Sequence, residues 1–418
     1  MPKRIWMLHH YGGPEGFGRF SRAAALANVL SGNGFQVRVF FASHHHLSPH
    51  VGSGDAADDS GAVFSAIPCR PYQGNGWSRI GNMRDFARGV ERIANEVPEE
   101  ERPDVVVASL PHPWVAVAAI RMKKRYGVKF VLEIRDIWPE SVVQLGGVSS
   151  FHPFIQWVSF LIRSAYRNCD GLVSVLPGAT PYFREQLSGR SGVKIAEIPN
   201  GVWVKKSKEG VELPLPEPHR EAIERIRESG LVVIGYAGAM GPPNALRKLV
   251  DLQNWQKEQG VEIPYRILLV GSGSEKGLLE EAEQSSDDPV FRVLPRLEKS
   301  EVPAFLSRVD AALVLWNSVP VYQHGVSPNK VWEYFAVGKP VLWAGETGFD
   351  PVSQSGGGLA QAATDPAALH QLFVAFCENS REEREVMGSR GRRYVEEHGD
   401  WGKLGRAFSD FLSGIPAA

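Results

Sequence analysis

Short apolar runs rich in β-branched residues recur along this chain, and each is followed by a polar or glycine-bearing turn and a helical stretch. The series opens with Arg4 to Leu8, the loop HHYGGPEGFGRF, a helix over Ser21 to Leu30 and a second run at Gln36 to Ala42. Strand, loop, helix and strand in that order is a βαβ unit. Further runs stand at Val105 to Ser109, Lys129 to Ile134, Cys169 to Val175 and Ile195 to Ile198. The pattern restarts at Leu231 to Ala237 and continues through Tyr265 to Val270, Val290 to Leu294 and Ala311 to Leu315. Two such series predict an α/β protein with two doubly wound parallel sheets, each covered by helices on both faces. Residues 203 to 219 hold three prolines and read as part of the connection between them.

Composition narrows the class. The 418 residues suffice for two domains, and 43% hydrophobic with 22% charged residues is the balance of a globular protein. A net charge of −1 gives no bulk attraction for nucleic acid. Cys69, Cys169 and Cys377 form neither a disulfide framework nor a zinc spacing, which fits a reducing cytoplasm. The start MPKRIWML turns polar at His9 and is not expected to be a signal peptide, and no apolar run is long enough to span a bilayer. His44, His45, His46 and His50 invite a metal reading. Adjacent side chains on a strand point to opposite faces, however, so a loop is expected there and no metal.

The most informative stretch is His324 to Leu342, HGVSPNKVWEYFAVGKPVL. Pro328 suits the first turn of a helix, where its missing N–H has no intrahelical partner. The N–H groups of Val326, Ser327, Asn329 and Lys330 then point out of the helix start, where donors and helix dipole together favour an anion. Lys330 adds a full charge, and Glu333 lies one turn later on the same face, placed to accept ribose hydroxyls. A nucleoside diphosphate fits this spacing.

This stretch resembles the donor-binding helix of retaining glycosyltransferases of the GT-B fold, family 4. It is most similar to the bacterial surface-polysaccharide branch, the L-fucosamine-transferase-like enzymes. Arg135-Asp136-Ile137-Trp138-Pro139-Glu140-Ser141 resembles the same branch. The resemblance implies two Rossmann-like domains facing across a cleft, with a C-terminal helix crossing back. It places the acceptor-side domain at 1–203, a linker at 204–230, the nucleotide-sugar domain at 231–398 and the returning helix at 399–418. On the donor it implies Gly16, Gly18, Arg135, Gly238, Met240, Gly271, Arg296 and Leu297, with Val326, Ser327, Pro328, Asn329, Lys330 and Glu333. On the acceptor side it implies His10 and Asp136. Asp136, Lys330 and Glu333 are the expected catalytic groups. Asp136 either takes or orients the acceptor proton, or merely caps the turn that follows it.

Two departures stand out. The wider family carries two glutamates eight positions apart; the second is Glu333, and the first position here is Gly325. Many members also hold the diphosphate with an Arg and a Lys after the Gly238 loop, which here reads Ala-Met-Gly-Pro-Pro-Asn. The expected function is transfer of a sugar, an N-acetylated or deoxy hexosamine, from a UDP-sugar to a lipid-linked or saccharide acceptor. No cofactor is expected, and no metal, since no Asp-x-Asp stands in a suitable loop. The expected location is cytoplasmic. Core packing is the expected use of the apolar stretch 151 to 167; a lipid-facing patch, giving peripheral contact to the cytoplasmic membrane face, is the competing one. The competing functions are a silent nucleotide-sugar-binding scaffold and a GT-B sugar-nucleotide epimerase.

Overall fold

The structure is a computed structural model, and it describes residues 4–15, 22–45, 54–57, 60–74 and 76–415. The chain forms two compact units. Unit 1 holds residues up to Asn200, His324–Ser327 and Trp401 onward; unit 2 holds Gly201–Gln323 and Pro328–Asp400.

Unit 1 is built on eight strands: β1 Arg4–Leu8, β2 Gln36–Ala42, β3 Gly54–Ala57, β4 Val63–Ile67, β5 Val105–Leu110, β6 Lys129–Ile134, β7 Gly171–Ser174 and β8 Lys194–Glu197. Their order is β3-β4-β2-β1-β5-β6-β7-β8, parallel except for the antiparallel β3–β4 pair. β5, all of it buried, reads VVVASL, as expected of a strand covered on both faces. β3 and β4 are not among the strands expected from the sequence. β3 is the exposed tetrapeptide GDAA, with no apolar alternation to betray it.

Unit 2 has six parallel strands: β9 Val232–Ala239, β10 Tyr265–Ser272, β11 Phe291–Leu294, β12 Ala311–Leu315, β13 Val341–Ala344 and β14 Gly358–Gln361, in the order β11-β10-β9-β12-β13-β14. Its core packs Ile234, Tyr236, Ile267, Leu313, Leu342 and Phe373 between sheet and helices. In each sheet the strand order reverses once, between β1 and β5 and between β9 and β12. Ligands of open α/β sheets bind beyond the carboxyl ends of the strands at such reversals.

The stretch 204–230, expected as linker, contains helices Val204–Val211 and Glu217–Glu228. The prolines that suggested a loop lie between these helices or at the start of the second, where proline is tolerated. The terminal helix Trp401–Ser413 belongs to unit 1 and buries Trp401, Leu404, Phe408 and Leu412 on one face. It packs closely on helix Arg22–Gly32: a Cβ on Gly405 would stand 2.5 Å from Cβ of Val29.

Candidate active site

In unit 2 the residues gather at the carboxyl end of β9. Helix Asn329–Ala336 begins with Pro328 as its N-cap, one position earlier than the first-turn place read from sequence. Lys330 reaches back over β9. Its Nζ donates to Tyr236 Oη at 2.7 Å and to Asn244 Oδ1, and stands 4.5 Å from the centre of the Tyr236 ring. Tyr236 passes its own hydroxyl hydrogen to the Ala239 carbonyl. Burial pushes the Lys330 pKa down to about 7, a drop only partly offset by Glu333. Burial also raises the Glu333 carboxyl, with Lys299 and Lys330 pulling it back. The ammonium is thus held by two neutral oxygens and a ring face, where its charge is expensive until an anion arrives.

The glycines around it are explained by the protein itself. A Cβ on Gly238 would lie 2.3 Å from Cε of Lys330, so this glycine makes room for the lysine stem. A Cβ on Gly271 would lie 1.8 Å from the Gly238 carbonyl oxygen, so the two strand ends need glycine to approach each other. Sequence reasoning had assigned both to nucleotide approach. Met240 is fully buried in the core and faces no open surface. Leu297 is buried and Arg296 is exposed, side by side after β11. Tyr236 and Asn244 escaped the sequence reading, because a strand tyrosine and a loop asparagine show no sign of the lysine they hold.

The loop before the helix belongs to unit 1. Val326 is buried there. Ser327 Oγ accepts the Asn200 N–H and its carbonyl accepts from Asn200 Nδ2, both at 3.0 Å. Gly325 has φ +107°, and a Cβ there would lie 2.2 Å from the Pro177 carbonyl oxygen. No glutamate fits that backbone, which accounts for the missing first acid.

The strand reversal of unit 1 carries a group of buried imidazoles. His9 and His10 follow β1 and His112 follows β5. The His10 and His112 rings meet edge-on at 4.6 Å. The ring nitrogens of His112 have no well-formed hydrogen bond among the described residues, and His10 lies beside the Asn82 side chain. Burial lowers all three pKa values, to about 3 for His9 and His112, so these rings are neutral at neutral pH. His112, in Leu-Pro-His-Pro, drew no role from sequence; only its place after β5 reveals it.

Below them lies an ion network. Arg22 Nη2 contacts Glu133 Oε2 at 2.9 Å with both side chains almost fully buried, and Arg22 Nη1 donates to the Pro199 carbonyl. Arg135 Nη1 stands 2.5 Å from His9 Nε2, and burial lowers its pKa to about 10. Its guanidinium is therefore engaged inside unit 1. Glu133 sits at about 2: Arg22, Arg135 and His9 outweigh the burial that would raise it. Asp136 is solvent-exposed, yet desolvation by the protein around it raises its carboxyl pKa against the pull of Ser141 and the Ile137 N–H. Gly16 and Gly18 lie outside the described residues, as do His46 and His50. Among the described residues no group of three His, Cys, Asp or Glu is arranged for a metal, and no helix is long and apolar enough to cross a membrane.

Residues 20–201 match the Glycosyl transferase 4-like domain family. Solved structures match along nearly the whole chain. Sucrose-phosphate synthase from Thermosynechococcus elongatus aligns at 15% identity over 98% of both chains, with TM-score 0.70. HepE from Anabaena, solved with UDP and glucose, aligns at 13% over 99% of this chain and 100% of its own, with TM-score 0.65. A trehalose-6-phosphate structure from E. coli, bound with UDP-2-fluoro glucose, aligns at 11% over 99% and 100%, with TM-score 0.73. The fold is GT-B, and the match to the glycosyl transferase 4-like family is confined to residues 20–201. No curated protein matches the chain in sequence. Within this GT-B fold the caged lysine belongs to unit 2, whereas the neutral histidines and Asp136 belong to unit 1.

Proposed function

We propose that this protein is a retaining, family 4 glycosyltransferase that moves a hexosamine-type sugar from a UDP-sugar to a lipid-linked or saccharide acceptor in surface-polysaccharide synthesis. The observation that carries the reading is Lys330, held by Tyr236 and Asn244 at the strand reversal of unit 2. It is a desolvated cation at the start of a helix, the place where a diphosphate is best held. UDP or UDP-sugars bound to structures of the same fold support the choice of nucleotide.

In the reaction, the bond between the anomeric carbon and the diphosphate oxygen breaks. The acceptor oxygen forms the new bond on the same face of the sugar, and its proton passes to the departing diphosphate. Lys330 and the helix-start N–H groups offset the charge that develops on that leaving group, and such preorganised electrostatics supply much of the rate in enzymes of this kind. Glu333 accepts the ribose hydroxyls. Asp136, exposed after β6, orients the acceptor; the buried ring of His10 lies beneath the same strand ends and touches no acceptor.

Helix Pro153–Asn168 supports a lipid-linked acceptor. It buries Ile155, Val158 and Ile162 but leaves Trp157 and Phe160 exposed, with Arg163 and Arg167 on the same outer face and Phe151 just before it. Apolar rings beside arginines suit an anionic bilayer surface. Sedimentation with anionic vesicles at low salt tests this; no binding removes the membrane part.

The donor reading is tested by thermal stabilisation with UDP, GDP, ADP and dTDP. At a hundred times the dissociation constant a ligand adds about 2.7 kcal/mol. A UDP-selective shift lost in Lys330→Ala and Glu333→Ala is expected. No shift with any nucleotide would leave a scaffold as the better reading.

A further inference from the structure

Unit 2 has a cavity of about 470 Å³ at the end of its sheet opposite Lys330. Arg227, Asp310, Lys339, Arg381, Arg384 and Glu385 line it. Asp310 immediately precedes β12 and Lys339 lies two residues before β13, so the cavity opens at the amino ends of the strands. Gly238 and Lys330 belong to the carboxyl ends. Eight-residue β9 alone spans roughly 26 Å, at about 3.3 Å per residue. This is not the donor site.

Among the lining residues four cations stand against two carboxylates, with Glu382 beside the cavity also acting on Arg381, so positive charge is in excess. Arg381 Nε pairs with Glu385 at 2.9 Å, and Arg227 Nη2 stands 3.9 Å from Asp310. Asp310 is shared further: its Oδ2 accepts the Val233 N–H at 2.8 Å. Arg384 gives one N–H to the Cys377 carbonyl, and its Nε is buried without an acceptor. The Lys339 ammonium makes no hydrogen bond or ion pair at contact distance among the described residues. Burial lowers its pKa, and the charges of Arg227 and Arg381 lower it further against the pull of Asp310 and Glu385. Like charges gathered in a concave, partly desolvated place are unfavourable unless an anion joins them.

We propose that this cavity binds a small phosphate-bearing dianion. Its negative charge answers the excess of cations, guanidinium forks match phosphate oxygens in geometry, and the volume admits a phosphorylated sugar. The site is independent of the transfer reaction and stands whether or not the donor reading does.

Calorimetric titration of the full chain at fixed ionic strength tests it, using inorganic phosphate, then glucose 1-phosphate, against a chloride control. Wild type and Lys330→Ala are expected to bind with saturation. Arg381→Gln and Lys339→Gln are expected to bind at least tenfold more weakly. The Arg381 side chain is 88% exposed, so its variant reports on binding even where Lys339→Gln fails to fold. Tighter binding of glucose 1-phosphate would identify a phosphorylated sugar as the ligand; equal binding would make the phosphate group the whole of it. No saturation in wild type overturns the proposal. So does unchanged binding in Arg381→Gln, or binding lost in Lys330→Ala, which would move the anion to the donor site.

Discussion

On the proposed reading, the caged lysine makes donor affinity depend on pH near neutrality. An ordinary lysine is charged throughout the physiological range, but Lys330 titrates at about 7 in the free protein. A diphosphate beside it holds the proton in the complex, so binding selects the charged form. Between pH 6 and pH 8.5 the charged fraction falls from about nine-tenths to about one-thirtieth, which weakens binding ~30-fold, or ~2 kcal/mol. UDP-glucose is the right probe, because its diphosphate has no ionisable group in this window. Calorimetry across the window should show affinity falling as pH rises. Lys330→Arg, charged at every pH, should bind with a flat profile; Lys330→Gln should be flat and weak. Folding stability runs the other way. The lysine pKa is lower in the fold than in the unfolded chain, so the free protein gains stability as pH rises from about 7 toward 10.5. A flat wild-type profile, or the same slope in Lys330→Gln, would refute the reasoning.

Three further outcomes follow from the same geometry. Gly238→Ala puts a Cβ 2.3 Å from Cε of Lys330 and should displace the lysine, lowering UDP-sugar affinity more than tenfold and costing about 1–3 kcal/mol in a denaturant melt. Gly325→Glu restores the family's acid but collides with the Pro177 carbonyl at φ +107°. It should cost about 1–3 kcal/mol from the backbone alone and lower turnover, and a gain in turnover would contradict the clash. Glu133→Gln leaves Arg22 buried against a neutral group and should cost about 3–5 kcal/mol. Because the Glu133 pKa is depressed, its contribution is present above the unfolded value near 4.5 and is lost toward about 2, so the gap between the two melting temperatures should close over that range.

The fold was legible because parallel strands buried on both faces write themselves as apolar runs. β2, β6 and β12 lie where Gln36 to Ala42, Lys129 to Ile134 and Ala311 to Leu315 were expected. β3 and β14 were not visible; they are four residues each, GDAA and GLAQ, too short and too weakly patterned for a period of two. The helices in 204–230 were hidden by prolines that in fact precede or begin a helix. At the site, sequence could find charged groups but not what surrounds them. Lys330 was visible; its partners Tyr236 and Asn244, 94 and 86 residues away, were not. Glycine posed the opposite difficulty. Gly238, Gly271 and Gly325 look like places for a ligand, yet each is required by a neighbouring lysine stem or carbonyl oxygen.

These partners also bear on the missing Arg/Lys pair. In this chain the Gly238 loop continues as Pro242-Pro243-Asn244, a short 3-10 turn. Asn317 Nδ2 ties it to the β12 loop by donating to the Pro242 carbonyl at 2.7 Å. The turn carries no cation; it presents an amide oxygen to one. The cation at this strand reversal is Lys330 on the helix, and the loop supports it through Asn244. A surface arginine would keep its charge at any pH and offer a fixed fork to a diphosphate. A buried lysine gives that up, and its charge responds to what lies beside it. On the proposed reading, binding the donor and charging the lysine are one coupled event, and Tyr236 and Asn244 set how strongly the two are linked.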